Sequence, residues 1–546
     1  MKGTAGPWLP ALAVSAVLLW LVGYPLLLTV TEALGGGWVH LQEFAERPEE
    51  WRALWNSLWI SLLSVALAAA VGVPLAFIFE RTDFPGRRIL GALMALPVAL
   101  PPLVGVIAFI FLYGESGFLS RLLQKAFQLD QAPWRLGGAG AILLVHTYSM
   151  YVYFYLFVRA ALSRLDGSML EAAASLGASR SRVLWRVILP QLRPALLGAG
   201  LLTFMTSLGS FSAPYIFGGG FRVMTTQIVA SKVSGQVQLA QVEAVLLASL
   251  ALVGLVVIRW LQGEDSVALA HGVAPERRKV TSRAARFSFA ITGWGLAIFM
   301  LLPHLTLILI SFVPLGTWTT ELLPPRYSLV NYEELLNEPE RLRPMLNSLW
   351  MAAVATLGAA VAGLVAARQS IRAGGRLGAL LEGLIALPWA IPGTVFALAL
   401  ATAFAVHDPL ALRFLWVGTP IILPLAYLVR CLPITGRSAL AGLRQLDPAL
   451  EEAAASLGAG TLRRFWRVVV PRVRPALMAG LGLSFITALG DFVTSIVLYT
   501  FTTRPISIEI ASALRVQEFG IAAAYGVLLM ILSATVFVVW GRGESA

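Results

Sequence analysis

The sequence predicts an all-α integral membrane protein whose twelve transmembrane helices form two parallel six-helix repeats. Composition is the first reason: 58% of the 546 residues are hydrophobic and 13% are charged, whereas soluble domains carry about 25% charged residues. The second reason is a mean hydropathy of +0.78, which indicates that lipid surrounds most of the chain. The third is that several sequence motifs occur twice, once in each half of the chain.

Composition also excludes several functional classes. A single cysteine cannot form an internal disulfide or a cysteine-rich metal site, and the five histidines are scattered along the chain. The net charge of +12 would indicate nucleic-acid binding only if the basic residues clustered on a soluble face. The sequence has no G-x-x-x-x-G-K-[ST] phosphate loop, so ATP-driven work must be done by another chain. We therefore predict no catalytic residue and no metal ligand here.

Twelve segments are long and apolar enough to cross a bilayer, which takes about 20 residues of helix. The first is predicted to be a retained span, because its apolar run is too long for a signal peptide. The predicted spans are 8–30, 55–79, 89–113, 139–158, 196–217, 240–261, 288–313, 347–367, 377–405, 415–432, 476–500 and 520–540. Kinks are expected in the third span of each half, at Pro97, Pro101, Pro102, Pro388 and Pro392.

The distribution of basic residues predicts the orientation and the domain boundaries. With the amino terminus inside, 28 of the 41 Lys and Arg residues fall in cytoplasmic segments, so both termini are predicted to be cytoplasmic. A cytoplasmic linker at 263–287 is predicted to separate an N-terminal half (1–262) from a C-terminal half (288–546), each with six spans. The basic cluster of this linker is interpreted as a positive-inside anchor, with an anionic-lipid or partner site as the alternative.

An internal duplication relates the two halves. The motif Asn-Ser-Leu-Trp at 56–59 recurs at 347–350, and segment 166–195 matches segment 447–476 with 17 of 30 positions identical. Because each half has an even number of spans, both halves enter the membrane in the same direction and the repeat is parallel. A translocation path is expected between the halves.

The longest duplicated segment lies in the cytoplasmic loop after the fourth span of each half. Asp166 and Asp447 are good N-caps for a short helix, and Gly177 and Gly458 suit the left-handed C′ position that ends it. A second helix then carries two arginines and a tryptophan. It is expected to end before a proline, because the residue preceding proline avoids helical geometry. These second-helix residues and prolines are Arg182, Trp185, Arg186 and Pro190, matched by Arg463, Trp466, Arg467 and Pro471.

Two interpretations of this duplicated segment are open. Alanines allow close backbone approach, and Arg and Trp are frequent interface anchors, so the segment is typical of a protein docking element. The alternative is an amphipathic connector that lies on the membrane surface. Two nearly identical copies in equivalent loops favour the docking element.

The duplicated segment resembles the EAA motif of permease subunits in binding-protein-dependent ABC importers. That motif reads E-A-A, three residues, G, nine residues, then I-x-L-P. Both copies follow it, with valine at some of the aliphatic positions. The matching residues are Glu171, Ala172, Ala173, Gly177, Val187, Leu189 and Pro190 in the first copy, and Glu452, Ala453, Ala454, Gly458, Val468, Val470 and Pro471 in the second.

This resemblance implies a type I ABC importer permease with both halves fused in one chain, similar to the ferric-iron and thiamine importers. Two sets of residues would form coupling helices that dock onto two copies of a cytoplasmic ATPase subunit. They are Glu171, Ala172, Ala173, Gly177, Arg182 and Arg186 in the first copy, and Glu452, Ala453, Ala454, Gly458, Arg463 and Arg467 in the second. ATP and Mg would be bound by those subunits, so no cofactor is expected in this chain. An extracytoplasmic binding protein would deliver the substrate to a permease in the bacterial inner membrane, which would work by alternating access.

A second pair of equivalent segments follows the coupling loops, Leu-Gly-Ser-Phe at 208–211 and Leu-Gly-Asp-Phe at 489–492. Candidate substrate-pathway residues there are Ser210, Phe211, Asp491 and Phe492. An acidic residue within a span is costly and usually faces protein or water. For Asp491, a pathway or gate role and a structural hydrogen bond to a neighbouring helix are both open.

The substrate is predicted to be ferric iron, because segments 207–222 and 489–507 look most like ferric-iron permeases. Thiamine, polyamine and aminophosphonate importers of the same branch are the alternatives. A secondary transporter or channel is the rival class, but it would usually keep several buried ionisable residues and would leave the EAA duplication without a purpose. An integral membrane enzyme is less compatible still, because no convergent His, Asp or Cys constellation occurs in the sequence.

Overall fold

The computed structural model describes residues 8–35, 38–99, 101–262, 278–279, 282–318, 321–405 and 409–541. This part of the chain is helical except for loops and one pair of two-residue strands. Strands β1 (Thr82–Asp83) and β2 (Arg278–Lys279) pair in parallel. The all-α membrane fold is therefore confirmed. Most of the predicted linker at 263–287 lies outside the described residues. The bounds of the two halves and of the linker between them stay predictions.

Fourteen described helices precede the linker. They are α1 (Trp8–Leu18), α2 (Tyr24–Ala33), α3 (Val39–Glu46), α4 (Pro48–Arg81), α5 (Arg87–Leu93), α6 (Pro102–Tyr113), α7 (Phe118–Phe127), α8 (Gly138–Leu162), α9 (Gly167–Ser175), α10 (Arg180–Val183), α11 (Leu189–Leu208), α12 (Ser212–Phe217), α13 (Met224–Val233) and α14 (Val237–Gln262). A π-helical turn at Leu19–Gly23 joins α1 to α2, and a 3₁₀ turn at Leu96–Ala99 follows α5.

Twelve further helices are described, and the first of them begins inside the predicted linker. They are α15 (Arg283–Ser311), α16 (Val330–Asn337), α17 (Pro339–Ala373), α18 (Gly375–Ala390), α19 (Gly393–Ala403), α20 (Ile422–Arg444), α21 (Pro448–Ser456), α22 (Thr461–Arg464), α23 (Val470–Leu489), α24 (Val493–Leu498), α25 (Ile506–Arg515) and α26 (Phe519–Gly541). A 3₁₀ turn occupies Pro409–Ala411.

The duplication predicted from sequence is visible in the helix order and in the packing. Helices α3 to α6 correspond to α16 to α19, and α8 to α14 correspond to α20 to α26. Helix α4 packs along α8 and α11, just as α17 packs along α20 and α23. Two copies of one helical bundle therefore make up the chain.

The number of membrane-spanning helices differs from the prediction of twelve. Ten described segments are long and apolar enough to cross a membrane, and the bent pair of α18 and α19 would make an eleventh. Helix α20, predicted as a span at 415–432, is not among them, because Arg430, Arg437 and Arg444 lower its mean hydropathy. It still packs against α17 as α8 packs against α4, so it occupies the position of a span.

The predicted interruption of the third span is confirmed in both halves, although Pro388 lies within the continuous helix α18 and the break in that half falls at Pro392. In the C-terminal half, α18 and α19 meet at 108°, and Ile391 between them is extended (φ −117°, ψ 132°) as expected for a residue before proline. In the N-terminal half, the predicted span 89–113 is interrupted after α5, and the apolar helical segment runs from Pro102 to Phe127 instead. The third span is thus broken in both halves.

The first helices of each half pack against the other half. Helices α1 and α2 contact α17, α18 and α19, and the Trp20 indole donates a hydrogen bond to the Leu410 carbonyl at 2.6 Å. In return, α15 contacts α5 and α6, and the Tyr148 hydroxyl donates to the Met300 carbonyl at 2.6 Å. Each half therefore buries part of the other, which holds the two bundles together.

The two halves also meet at two glycines. Gly209 and Gly490 end α11 and α23 with φ values of −85° and −96°, which alanine also adopts. A Cβ atom added to Gly490 would lie 2.6 Å from the Cβ of Pro101, whereas one added to Gly209 would lie 3.7 Å from the Cα of Pro392. Each glycine thus faces the proline kink of the opposite half, and Gly490 is the more crowded of the two.

We expect Gly490→Ala to destabilise the protein more than Gly209→Ala. Forcing an extra methyl into a packed contact costs about 1–3 kcal/mol, and only the Gly490 variant would press on the ring of a proline, with Cβ at 2.6 Å and Cγ at 3.1 Å. Thermal unfolding can be followed with a thiol-reactive dye, because Cys431 is the single cysteine of the sequence and is 1% exposed. Equal unfolding midpoints for the two variants would contradict this account of the central contact.

Candidate functional site

The predicted docking helices begin as expected from their sequence. The Asp166 carboxylate accepts a hydrogen bond from the Ser168 backbone N–H at 3.0 Å, and Asp447 accepts one from the Ala449 N–H at 2.9 Å. Pro448 follows at the first helical position, where its missing N–H costs nothing. Both N-cap predictions are confirmed.

The carboxyl ends of these helices form the same turn in both copies. Gly177 and Gly458 have φ values of +74° and +80°, which confirms the predicted left-handed C′ position. In the first copy, the Ala178 N–H donates to the Ala173 carbonyl at 3.0 Å and the Gly177 N–H donates to Ala174 at 2.9 Å; the same two bonds recur in the second copy. This Schellman arrangement satisfies the terminal carbonyls and makes each turn a defined elbow.

The second helix of each docking element does not end before its proline, so that prediction was wrong. Helix α10 continues through a π-helical turn (Leu184–Ile188) into α11, and α22 continues through Phe465–Val469 into α23. Within each π turn the bond spans five residues, from the Leu189 N–H to the Leu184 carbonyl in the first copy. The wider turn makes room for the ring of Pro190, which would clash with the carbonyl four residues earlier in a regular α-helix.

Most of the candidate docking residues are exposed and lie outside the packed bundle. The exposed members are Glu171, Ala172, Gly177, Arg182, Arg186, Glu452, Ala453, Gly458, Arg463 and Arg467, while Ala173 and Ala454 are half-buried. Large apolar side chains accompany them: Leu176 is 88% exposed and Leu457 is 89% exposed, and Trp185 and Trp466 are also exposed. Such apolar tips leave water only when another surface covers them.

The two docking elements are attached to their own bundles by different interactions. In the C-terminal copy, Glu451 lies 3.1 Å from Arg368 and 3.6 Å from Arg372 of α17, and the Arg368 guanidinium lies 4.8 Å from the Phe465 ring centre. The equivalent positions of Arg368, Glu451 and Phe465 in the N-terminal half are apolar and pack against the core of that half. These residues are Phe77, Leu170 and Leu184. This difference was not predicted, although an alignment of the two repeats shows apolar residues opposite the charged ones.

Two of the four predicted pathway residues, Phe211 and Phe492, contact each other across the two halves. The Phe211 and Phe492 rings, one from each half, have centroids 5.5 Å apart, and Tyr215 lies 5.2 Å from Phe211 and 5.6 Å from Phe492. Phe211 and Phe492 are 1% and 2% exposed. This aromatic cluster (Phe211, Tyr215 and Phe492) therefore packs the two halves together where a path between them would run.

Ser210 belongs to a neutral hydrogen-bond network in the N-terminal half. Its hydroxyl lies 2.9 Å from Nε2 of His146, and Nδ1 of the same ring lies 3.0 Å from the Ser64 hydroxyl and 3.1 Å from that of Ser207. These groups come from α4, α8 and the end of α11. The network fixes the broken end of α11 against two neighbouring helices.

Asp491 occupies the equivalent position and forms an ion pair. Its Oδ2 lies 3.1 Å from Nε of Arg430 on α20, and its Oδ1 accepts hydrogen bonds from the Thr494 and Ser495 N–H groups at 2.8 and 3.4 Å. The structure therefore contains the hydrogen-bonded arrangement that sequence analysis left open, while a pathway role stays a prediction. Arg430 was missed, although an arginine inside a predicted span could have been flagged as the partner of Asp491.

Comparison with known proteins identifies the family. The family model described as "Binding-protein-dependent transport system inner membrane component" matches twice, at residues 68–263 and 359–541. A probable ABC transporter permease protein, y4fN of Sinorhizobium fredii, is 30% identical over 86% of this chain and 84% of its own length. The ferric transport system permease protein FbpB of Actinobacillus pleuropneumoniae is 27% identical over 88% and 69%. A putative 2-aminoethylphosphonate transport system permease protein, PhnU of Salmonella typhi, is 32% identical over 38% and 73%.

The double family match agrees with the two helical bundles and with the two EAA segments. Proteins of this family are multi-pass inner membrane components that work with a substrate-binding protein and with separate ATPase subunits, and the permease itself is not an enzyme. The chain belongs to the family of binding-protein-dependent transport system inner membrane components, as an ABC importer permease with two fused halves.

Proposed function

We propose that this permease imports ferric iron, delivered by an extracytoplasmic binding protein, and that it works with two copies of one ATPase subunit. The observation that carries the proposal is the similarity to the ferric permease FbpB over 88% of the chain, across both halves. The two ATPase subunits would bind the ATP and Mg, and this chain would bind no cofactor of its own. Both termini would be cytoplasmic.

The paired elbows support docking of two ATPase subunits. Each elbow presents an almost fully exposed leucine, Leu176 or Leu457, beside an exposed tryptophan. Apolar and aromatic side chains of this kind become interface anchors when a partner pocket removes them from water. Because both copies have the same Schellman turn, they would fit two identical clefts. Glu171, Arg182 and Arg186, with Glu452, Arg463 and Arg467, would form the polar rim.

The central residues support a gate between the halves. Phe211 and Phe492 would separate when the halves move apart, and Ser210 and Asp491 would then face the opened path. The coupling elements can drive this movement because the helical segments Arg180–Leu208 and Thr461–Leu489 run from the elbows to the centre. ATP-dependent movement of the docked subunits would therefore reach the aromatic cluster directly.

Other substrates of the same branch are the alternatives. The similarity to the aminophosphonate permease PhnU covers 38% of the chain and favours that alternative over thiamine or a polyamine. Selectivity would then depend on the separate binding protein together with the residues that line the path. A secondary transporter or channel is disfavoured by the family match.

We expect that replacing both elbow glycines by valine will uncouple transport from ATP hydrolysis. No atom lies within 4 Å of a Cβ added to Gly177 or Gly458, so a substitution acts through the left-handed backbone, not through a clash. Valine is strained at positive φ, whereas asparagine tolerates it. The Gly177→Asn/Gly458→Asn variant is therefore the matched control and should retain most activity. Substrate-stimulated ATP hydrolysis in proteoliposomes provides the measurement, and normal stimulation in the valine variant would overturn the coupling role.

Uptake of radioactive iron tests the substrate. Proteoliposomes that hold the permease and its ATPase, supplied with the purified binding protein from the same operon, should accumulate ⁵⁵Fe(III) only when ATP is present inside. Thiamine, spermidine and 2-aminoethylphosphonate should not compete with iron in this assay. Accumulation of one of these competitors without accumulation of iron would transfer the assignment to that substrate.

Two single-cysteine variants test the orientation. Ser181 of α10 and Gln131 between α7 and α8 are both exposed, and by the predicted topology they lie inside and outside, respectively. With Cys431→Ser as background, a membrane-impermeant maleimide should label Gln131→Cys in intact cells. It should label Ser181→Cys only after the membrane is opened. The reverse pattern would place both termini outside.

A further inference from the structure

We propose that the C-terminal half contains an anion-binding site beside the aromatic cluster, formed by Arg430 and the amino end of α19 at Gly393 and Thr394. The ligand class is a small anion that carries several oxygens, such as a carboxylate, phosphate or phosphonate group. The role of the site in import rests on the proposed function, whereas binding of an anion does not. For an iron importer, such a site would favour an anionic iron complex over a bare cation.

The Arg430 guanidinium lies at the amino end of α19. A Cβ atom added to Gly393 would overlap Nη1 of Arg430, so the guanidinium lies directly against the backbone of the first residue of α19. The same added atom would lie 3.3 Å from Cγ1 of Val493, which follows Asp491 and Phe492 in the central loop. The site therefore lies between α19, α20 and that loop.

Two positive charges come together at the amino end of α19. The amino end of a helix carries a partial positive charge and attracts anions, yet the 11-residue helix α19 has Arg430 of the neighbouring helix α20 at this end. Asp491 offsets part of that charge through its 3.1 Å contact with Arg430 Nε. Its carboxylate is also engaged by the Thr494 and Ser495 N–H groups at the start of α24. A second anion would stabilise this arrangement.

Two buried hydrogen-bond donors at this place lack partners. Nη1 of Arg430 and the Thr394 hydroxyl are both buried and have no hydrogen-bond partner within the described part of the chain. Thr394 is 0% exposed and is the second residue of α19. Leaving a buried donor unpaired costs about 1–3 kcal/mol, and more for a charged group. An anion with two or more oxygens could accept from both donors. The Arg430 side chain as a whole is 27% exposed, while its Nη1 is buried, so an anion would reach Nη1 only when the two halves move apart.

The N-terminal half has no such site at the equivalent place. Pro102 stands where Gly393 stands, so the helix there begins with a residue that has no N–H to offer. Ser149 corresponds to Arg430, and its hydroxyl donates to the Val145 carbonyl of its own helix at 2.8 Å. The anion site is thus a property of one half, and it lies on one side of the proposed path.

The consequence is a preference for substrates with negative charge. Asp491 offsets the charge of Arg430, and the partial positive charge at the amino end of α19 then leaves the site weakly positive, which disfavours a bare Fe(III) ion. An iron complex with an oxygen-rich anion would be attracted, and so would a phosphonate. The site therefore favours the same chemical class for the main proposal and for the aminophosphonate alternative.

Anion binding can be measured on the purified full-length chain in lipid nanodiscs, with inorganic phosphate and citrate as probes. Unfolding is followed by tryptophan fluorescence, at constant ionic strength with chloride as the reference anion. We expect a saturable rise of the unfolding midpoint for the unaltered protein. Thr394→Val should raise the half-saturating anion concentration several-fold, and Arg430→Gln should raise it at least about tenfold, since a charged hydrogen bond is the stronger of the two.

Ser149→Ala is the matched control and should bind both anions like the unaltered protein. Thr394→Val retains the Arg430–Asp491 ion pair, so it decides the question if Arg430→Gln does not fold. A stabilisation that never saturates, or that is equal in all variants, would overturn the site, because phosphate also stabilises proteins through exclusion from their surface. The iron-uptake assay is independent of this measurement. If the unaltered protein binds the anions but transports no iron, only the iron assignment is refuted.

Discussion

The close approach of the two halves at Gly490 and Pro101, and at Gly209 and Pro392, is the contact on which the remaining structure depends. A helix that breaks inside a membrane exposes backbone groups that lipid cannot satisfy, so such a break must be buried in protein. Here each break is buried against the proline kink of the other half. Local hydrogen bonds satisfy backbone groups at the break; for example, the Ser210 N–H donates to the Ser207 carbonyl at 3.0 Å.

The same breaks determine what the long helical segments can transmit. Arg180–Leu208 contains 29 residues, about 43 Å at 1.5 Å per residue, with the Gly177 elbow just before it and Phe211 just beyond it. The π turn keeps this segment continuous through Pro190. Under the proposed function, a displacement of the elbow would therefore reach the aromatic cluster along one continuous helical segment.

The features that depend on local backbone chemistry or on sequence repetition could be predicted from the sequence. Asp166 as N-cap and Gly177 at the left-handed position follow from local rules, and the two-bundle fold follows from the duplicated motifs. The continuation through Pro190 could not be predicted in the same way, because the rule for residues before proline describes an α-helix and not a π turn. The partners of Asp491 also escaped prediction, since α20 meets the central loop only in the tertiary structure.

The pattern of divergence between the halves follows from what each region contacts. The elbows at Gly177 and Gly458 have kept the same caps, turn and exposed leucine, as required if both face copies of one ATPase subunit. The centre has diverged, with His146 and Ser210 in one half and Arg430 and Asp491 in the other. The C-terminal half thus has an ion pair where the N-terminal half has an imidazole and three hydroxyl groups. If the path runs between the halves as proposed, its two sides differ in chemistry. This asymmetry is then where the permease itself would distinguish one substrate from another.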